Sequence, residues 1–374
     1  MKVFEEIIQQ TKAYYCIDCG ICTGSCPVAR VNPRFSPRLN VEKSLLQLEG
    51  EIVEDRELWS CLTCGTCSYR CPALVDYQSF VLSSRIEARK AGREGMLTHD
   101  GVLKLMMELQ TLDFPQARTG WIPKEVKTTA KGEYLYWVGC LPHFDVIFKD
   151  YGTHSLQSAV NALRILNRLG IKPVVSPEER CCGHDLLWNG DIESFRKLAR
   201  YNIGMLKKYG VSKVVCSCPE GYRTLKVEYP NLVGDTGVEV IHISQLIAQG
   251  IKEGKLFLNP LEQKVTYQDP CRLGRLSGIY DEPREVIRHI PGLQLLEMER
   301  NRVDAICCGT TGWVNCTSCS KQIQTDRLKE AISTGAQTII TACPKCKIHF
   351  QCALINSDLS IEIKDMLDLI GEVI

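Results

Sequence analysis

Apolar and polar positions follow two different rhythms along this chain. In the amino-terminal third they predict helices, one near residues 41–48 and a longer one over Tyr77–Lys90. From about Lys131 onward, short β-rich runs alternate with stretches of helical spacing. Residues 134–138, 173–176 and 211–216 read as strands, with helices over 155–169 and 192–209. Further on, 264–268 and Thr338–Thr341 read as strands and 321–333 as a helix. Strand, helix and strand at these lengths predict small parallel sheets covered by helices. Residues 114–131, with Pro115, Gly120 and Pro123 among polar neighbours, read as a linker. The expected organisation is therefore a helical domain over 1–113, that linker, and α/β domains over 132–254 and 255–374.

The last two domains are copies of one module. KVVCSCPEGYRTL at 213–225 matches TIITACPKCKIHF at 338–350, and VEVIHISQLI at 238–247 matches IEIKDMLDLI at 361–370. Cysteines recur at nearly constant offsets: Cys140 with Cys271, Cys181-Cys182 with Cys307-Cys308, and Cys218 with Cys343. A fixed internal period of this kind marks a repeated structural unit.

Charge excludes two function classes. With 45 Lys+Arg against 44 Asp+Glu over 374 residues, the net charge of +1 gives neither a nucleic-acid nor a membrane-surface signature. The 21 cysteines are an odd number, grouped in C-x-x-C runs and two CC pairs, which makes a poor disulfide framework. The opening MKVFEEIIQQ is charged rather than an apolar signal core, and no apolar run reaches the roughly 18 residues of a membrane span. A cytoplasmic protein with metal-binding thiols is expected, meeting a membrane only through a partner protein.

Two cysteine runs are identical in spacing: Cys16-x2-Cys19-x2-Cys22-x3-Cys26-Pro27 and Cys61-x2-Cys64-x2-Cys67-x3-Cys71-Pro72. Each resembles the bacterial ferredoxin run, in which three close thiolates hold one [4Fe–4S] cube and the fourth cysteine ligates the other. The expected sets are Cys16, Cys19, Cys22 with Cys71, and Cys61, Cys64, Cys67 with Cys26. A zinc ribbon is the alternative, but zinc commonly takes two C-x-x-C pairs and does not account for two such runs with both prolines. The 34 residues between Cys26 and Cys61 resemble the enlarged, helix-rich ferredoxin domain of respiratory iron–sulfur proteins.

The second module has 35 residues between Cys271 and Cys307, and 34 between Cys308 and the Cys343-Pro-Lys-Cys346 motif. This pattern resembles the CCG domain of heterodisulfide reductases, and a ferredoxin module followed by two CCG domains spans nearly the whole chain. The resemblance implies a noncubane [4Fe–4S] cluster on Cys271, Cys307, Cys308, Cys343 and Cys346, which would be the catalytic centre. In the first module Gly221 stands where the fifth cysteine belongs. Three readings stay open for Cys140, Cys181, Cys182 and Cys218: a second, altered iron–sulfur cluster, a tetrahedral zinc site, or no metal. Cys216, two residues before Cys218, is a candidate replacement ligand.

The function this resemblance implies is an iron–sulfur oxidoreductase subunit of anaerobic metabolism. Two cubes would feed single electrons to the noncubane cluster, which reduces a disulfide. The alternative is a non-catalytic electron relay in a larger complex, of the benzoyl-CoA reductase or quinone-linked hydroxyacid dehydrogenase type. Without a flavin or nicotinamide fingerprint, electrons must enter from a flavin-, cytochrome- or hydrogenase-type partner subunit. Cys316 and Cys319 form a further C-x-x-C that faces substrate or is simply buried. Cys352 reads as core, and His143 and His184 lie in sequence near cluster loops where a proton donor would act. The segment Arg272–Arg275 either attracts an acidic substrate or solvates a loop.

Overall fold

The computed structural model describes residues 2–114, 116–355 and 357–374, so Pro115 of the expected linker lies outside the described residues. The chain forms two compact units. One gathers Met1–Leu109, Gly183–Phe195 and Ile306–Gln324, and the other Gln110–Cys182, Arg196–Ala305 and Thr325–Ile374.

The first unit is helical. The helix expected near 41–48 runs instead over Pro37–Leu45, because Ser36 caps it with a side-chain oxygen accepting from Leu39 N at 3.3 Å, and Pro37 suits the first turn. Tyr77–Lys90 is helical as read, with Asp76 accepting from Ser79 N at 3.2 Å. That helix buries Tyr77, Phe80, Val81 and Arg85 against the second cysteine run. Arg85 is wholly buried and donates to Leu58 O and Cys61 O, holding the backbone on which the run begins.

The second unit carries two parallel sheets. In the first, β1 (Tyr134–Trp137), β2 (Lys213–Cys216) and β3 (Glu239–His242) lie in that order. In the second, β4 (Gln263–Gln268), β5 (Leu293–Leu295), β6 (Thr338–Thr341) and β7 (Glu362–Asp365) are arranged β5-β4-β6-β7. The sheets are the same device used twice, with β1, β2 and β3 matching β4, β6 and β7 in register. The expected strand at 173–176 shrinks to a single parallel bridge, Val174 to Leu135, beside a proline that cannot donate to a ladder. It holds the place that β5 fills in the second copy. Residues 110–133 contain neither helix nor strand among those described. No described helix is long and apolar enough to cross a membrane.

The copies pack as a pseudo-dimer. Helix Ser155–Arg168 lies on Met366–Val373, and helix Ile243–Lys252 lies on Asp281–Arg288, the exchange that a two-fold relation requires. Ser158 and Asn161 donate to the Asp368 carboxylate at one of these contacts, and Lys252 pairs with Glu285 at 2.8 Å at the other.

Within the second copy a buried guanidinium organises the approach to Cys271. Arg284 is fully enclosed and bonds both oxygens of Asp269, at 2.7 and 2.8 Å, and both of Glu297. Removing one partner of such a pair strands a buried charge. Asp269→Ala should lower unfolding stability by about 3 kcal/mol, measured by denaturant titration, whereas Asp269→Asn should cost less.

Candidate metal centres

Helix turns interrupted by left-handed residues present the ferredoxin-type cysteines. Gly20 and Gly65 occupy the same place in the two runs, and both take φ of 77°, folding each loop back so that three thiols point one way. Cys26, Cys61, Cys64 and Cys67 line one pocket, with Phe35 and Tyr77 in its wall. Burial raises the Cys67 thiol far above its ordinary value, and the charges of Cys61, Cys64 and Cys26 raise it further. The other set is gathered as well: burial pushes the Cys22 thiol up, with Cys16 and Cys71 adding to the effect. Its environment is wetter. Cys19 is exposed and Cys16, Cys22 and Cys71 are half-buried, whereas Cys61, Cys64 and Cys67 are buried. Thiols this crowded cannot all ionise unaided, and a cationic iron core resolves the conflict. The donor set and the cavity fit a cluster, and backbone N–H groups already face sulfur, Thr63 N to Cys61 Sγ and Val75 N to Cys71 Sγ, each at 3.4 Å.

Four cysteines of the second unit follow the carboxyl ends of strands. In the first copy β1 leads to Cys140 and β2 to Cys218, while in the second β4 leads to Cys271 and β6 to Cys343. In the second sheet β4 and β6 are neighbours where strand order reverses, and in the first the Val174 bridge on the far side of β1 gives β1 and β2 the same place, the usual ligand position of open parallel sheets. Cys218 and Cys343 each precede a helix with proline in its first turn, and at Cys218 the backbone N–H groups of Gly221 and Glu220 favour the thiolate.

The first copy assembles four thiols. Cys140 Sγ and Cys181 Sγ are 3.8 Å apart. The hydrogen bond with Cys181 and then burial raise the Cys182 thiol strongly, with the charges of Cys181, Cys140 and Cys218 contributing. The twin-cysteine turn is pinned by groups that the repeat does not mark. Gln110 Oε1 accepts from Cys181 N at 2.7 Å, Asn202 Nδ2 donates to Cys181 O, and Tyr229 OH donates to Cys182 O. Cys216 does not join the set: its thiol is buried in β2 and raised by burial and by the charge of Glu179.

Glu179 is the second organiser. Its carboxylate accepts from Val138 N and Gly139 N and pairs with Arg118 at 2.9 Å, fixing the loop that delivers Cys140. Burial outweighs these partners and pushes the carboxyl up to about 7. Arg118, in the expected linker, also reaches His143 Nε2 at 3.1 Å. A guanidinium only donates, so Nε2 accepts and the neutral ring carries its proton on Nδ1. Burial and Arg118 both lower the His143 pKa, which weakens its expected role as a proton donor.

In the second copy Cys271, Cys343 and Cys346 belong to the sheet-bearing unit, and Cys307 and Cys308 to the helical one. The loops bearing Cys218 and Cys343 approach each other: after burial, the Cys343 charge is the largest influence raising the Cys218 thiol. Lys345 and Glu220, which hold equivalent positions in the two motifs, form a buried ion pair at 2.8 Å. Arg275 is a structural brace rather than an open anion site, bonding Val303 O and Ala305 O. Arg272 is buried.

Segments following both CC pairs are bound to the second ferredoxin run. Arg85, which holds Cys61 O, also donates to Trp188 O at 2.7 Å. Trp313 O accepts from Thr98 N and Oγ1, and Asn315 Nδ2 reaches Arg56 O and Ser60 Oγ, next to Cys61. Gly309 takes φ of 89°, and a Cβ there would lie 2.9 Å from Ser320 O, so the turn after Cys308 demands glycine. Cys316 and Cys319 lie in this segment, and the Cys319 thiol donates to Val31 O at 3.5 Å. Cys352 is half-buried rather than core, and His184 is buried at the start of helix His184–Trp188.

Two family models match the chain, a 4Fe-4S dicluster domain over residues 12–75 and a cysteine-rich domain over 134–226 and again over 265–351. The chain is 34% identical over 263 residues to a component of the dihydromethanophenazine:CoB–CoM heterodisulfide reductase of Methanosarcina barkeri, covering 68% of this chain and 62% of that one. It is 34% identical to the probable iron-sulfur-binding oxidoreductase FadF of Bacillus subtilis, covering 60% of this chain and 31% of that protein. It is 32% identical to the EtfAB:quinone oxidoreductase of Syntrophomonas wolfei, covering 68% of this chain and 34% of that one. The chain thus spans about 62% or less of the length of these relatives. Among solved structures, a hypothetical protein from Helicobacter pylori shares the fold at a TM-score of 0.55 and 13% identity, covering 90% of this chain and 68% of that one.

The crossed sets predict separable losses. Cys26→Ser should remove the buried cluster's signal from the electron paramagnetic resonance spectrum and about 4 Fe per chain, leaving the other cluster; Cys71→Ser should do the reverse. Loss of the same signal in both variants would contradict crossed ligation.

Proposed function

We propose that this chain, which belongs to the heterodisulfide reductase family of iron–sulfur oxidoreductases, draws electrons through two [4Fe–4S] cubes to its cysteine-rich copies and there reduces a disulfide. The reading assigns one cube to Cys16, Cys19, Cys22 and Cys71 and the other to Cys61, Cys64, Cys67 and Cys26. It assigns a noncubane [4Fe–4S] cluster to Cys271, Cys307, Cys308, Cys343 and Cys346, and an iron–sulfur centre to Cys140, Cys181, Cys182 and Cys218. When bound, such a centre supplies single-electron steps and iron that accepts an external sulfur.

One observation supports the direction of flow above others. The exposed Cys19 belongs to the first run, whereas the segments that follow the CC pairs are tied to the start of the second run through Arg85, which also donates to Cys61 O, and through Asn315, which reaches Ser60 Oγ just before Cys61. Electrons entering from a partner protein would therefore meet the first cube and leave by the second. The exposed Tyr14, Tyr15, Ile17 and Ile21 surround the entry side. A disulfide needs two electrons, and the opposed motifs of Cys218 and Cys343, joined by Lys345 and Glu220, offer two adjacent places for its sulfurs. Burial of Lys345 holds its ammonium between the motifs, where it offsets negative charge as electrons arrive.

The relay reading gains its support from the EtfAB:quinone oxidoreductase relative, and turnover separates the two. Anaerobically prepared protein with reduced viologen should reduce the mixed disulfide of coenzyme M and coenzyme B. Cys343→Ser should abolish this while both cube signals persist. Absence of turnover with all centres present would reject disulfide reduction in favour of a relay.

A further inference from the structure

The two copies differ by a matched pair of residues, and the difference leaves a donor without an acceptor. In the second copy, the motif after β6 provides Cys346. Gln268, at the end of β4, is paired at both ends of its amide, with the nitrogen donating to Asp269 O at 3.1 Å and the oxygen accepting from Arg327 Nε at 2.6 Å. In the first copy Gly221 replaces the cysteine and Trp137 replaces the glutamine, at the same register position on β1. Trp137 is 2% exposed, and among the described residues its indole Nε1 has no hydrogen-bond partner. A Cβ placed on Gly221 would lie 3.8 Å from Trp137 Cδ1, 3.9 Å from Cys218 Cβ and 4.0 Å from Trp137 Nε1. The orphaned N–H therefore borders the space that a fifth thiol would enter, beside a cysteine of the four-thiol set.

A buried indole N–H normally finds an acceptor. Four sulfurs and their bound centre are the acceptors that this corner of the fold implies, and N–H to sulfur bonds tune such centres. We propose that the Trp137 indole N–H donates a hydrogen bond to a sulfur of the iron–sulfur centre held by Cys140, Cys181, Cys182 and Cys218, from the position where the second copy places its fifth thiolate. The inference rests on the reading that this first set holds iron. Trp137 is thus a positioning and tuning residue, which replaces a negatively charged ligand by a neutral donor. Both changes stabilise the reduced, more negative state of the centre and raise its potential relative to a five-thiolate site.

The test uses the full chain, prepared anaerobically with ¹⁵N-indole tryptophan. The first centre is identified as the signal lost in Cys140→Ser. That signal should show coupling to one indole nitrogen and one exchangeable proton. Trp137→Phe should abolish both couplings and shift the midpoint potential downward at unchanged iron content. Gly221→Cys enters the same space against contacts of ordinary length, so it should fold. It should displace the indole bond and lower the potential as well. Unchanged coupling and potential in both variants would overturn the proposal. If Cys140→Ser removes no iron signal, or removes zinc instead, the assignment of iron to the first set fails, and the proposal falls with it. That outcome is distinct from loss of disulfide reduction, which the Cys343→Ser assay reads separately.

Discussion

Crowded thiols in a desolvated space are the constraint on which this architecture turns. Burial raises the Cys67 thiol and neighbouring sulfurs raise it again, while the Cys182 thiol is raised by its hydrogen bond with Cys181 and then by burial. Such groups are stable together as neutral thiols or as ligands of a cationic core, and the second state is the one that can carry electrons. The remaining structure serves to hold sulfurs at fixed separation: left-handed glycines in the ferredoxin runs, strand ends in the α/β copies, and buried polar side chains behind each turn.

Duplication explains much of the rest. Each copy presents two of its cysteines after the ends of two adjacent parallel strands, and helices of the two copies pack on one another as a pseudo-dimer. Equivalent positions thereby face one another and diverge in complementary ways. Glu220 and Lys345 form a pair only because the copies ceased to be identical at that position. Gly221 with Trp137, against Cys346 with Gln268, is a second divergence, one that leaves the two sites chemically unequal.

Much of this was legible in the sequence because cysteine spacing reflects geometry directly. The helix Tyr77–Lys90, the core strands β1, β2, β4 and β6 and the two modules follow from period and repeat. The edge strands β3, β5 and β7 were missed because they bury at most alternate residues, unlike the nearly continuous buried runs of β1, β2 and β6. The bracing groups were invisible for another reason. Glu179 faces Ala305 in the repeat alignment, and Arg118 lies in a segment that reads as a linker, so neither periodicity nor repetition marks them. Nor does any local pattern announce that Gly183–Phe195 and Ile306–Gln324 join the helical unit. Arg85 and Asn315 accomplish this through bonds to backbone carbonyls far away in sequence.

The most direct measurement is iron and zinc per chain on protein purified and kept without oxygen. Four centres of four irons predict about 16 Fe and no zinc. A value of about 8 Fe would leave the cysteine-rich copies without clusters and contradict the account.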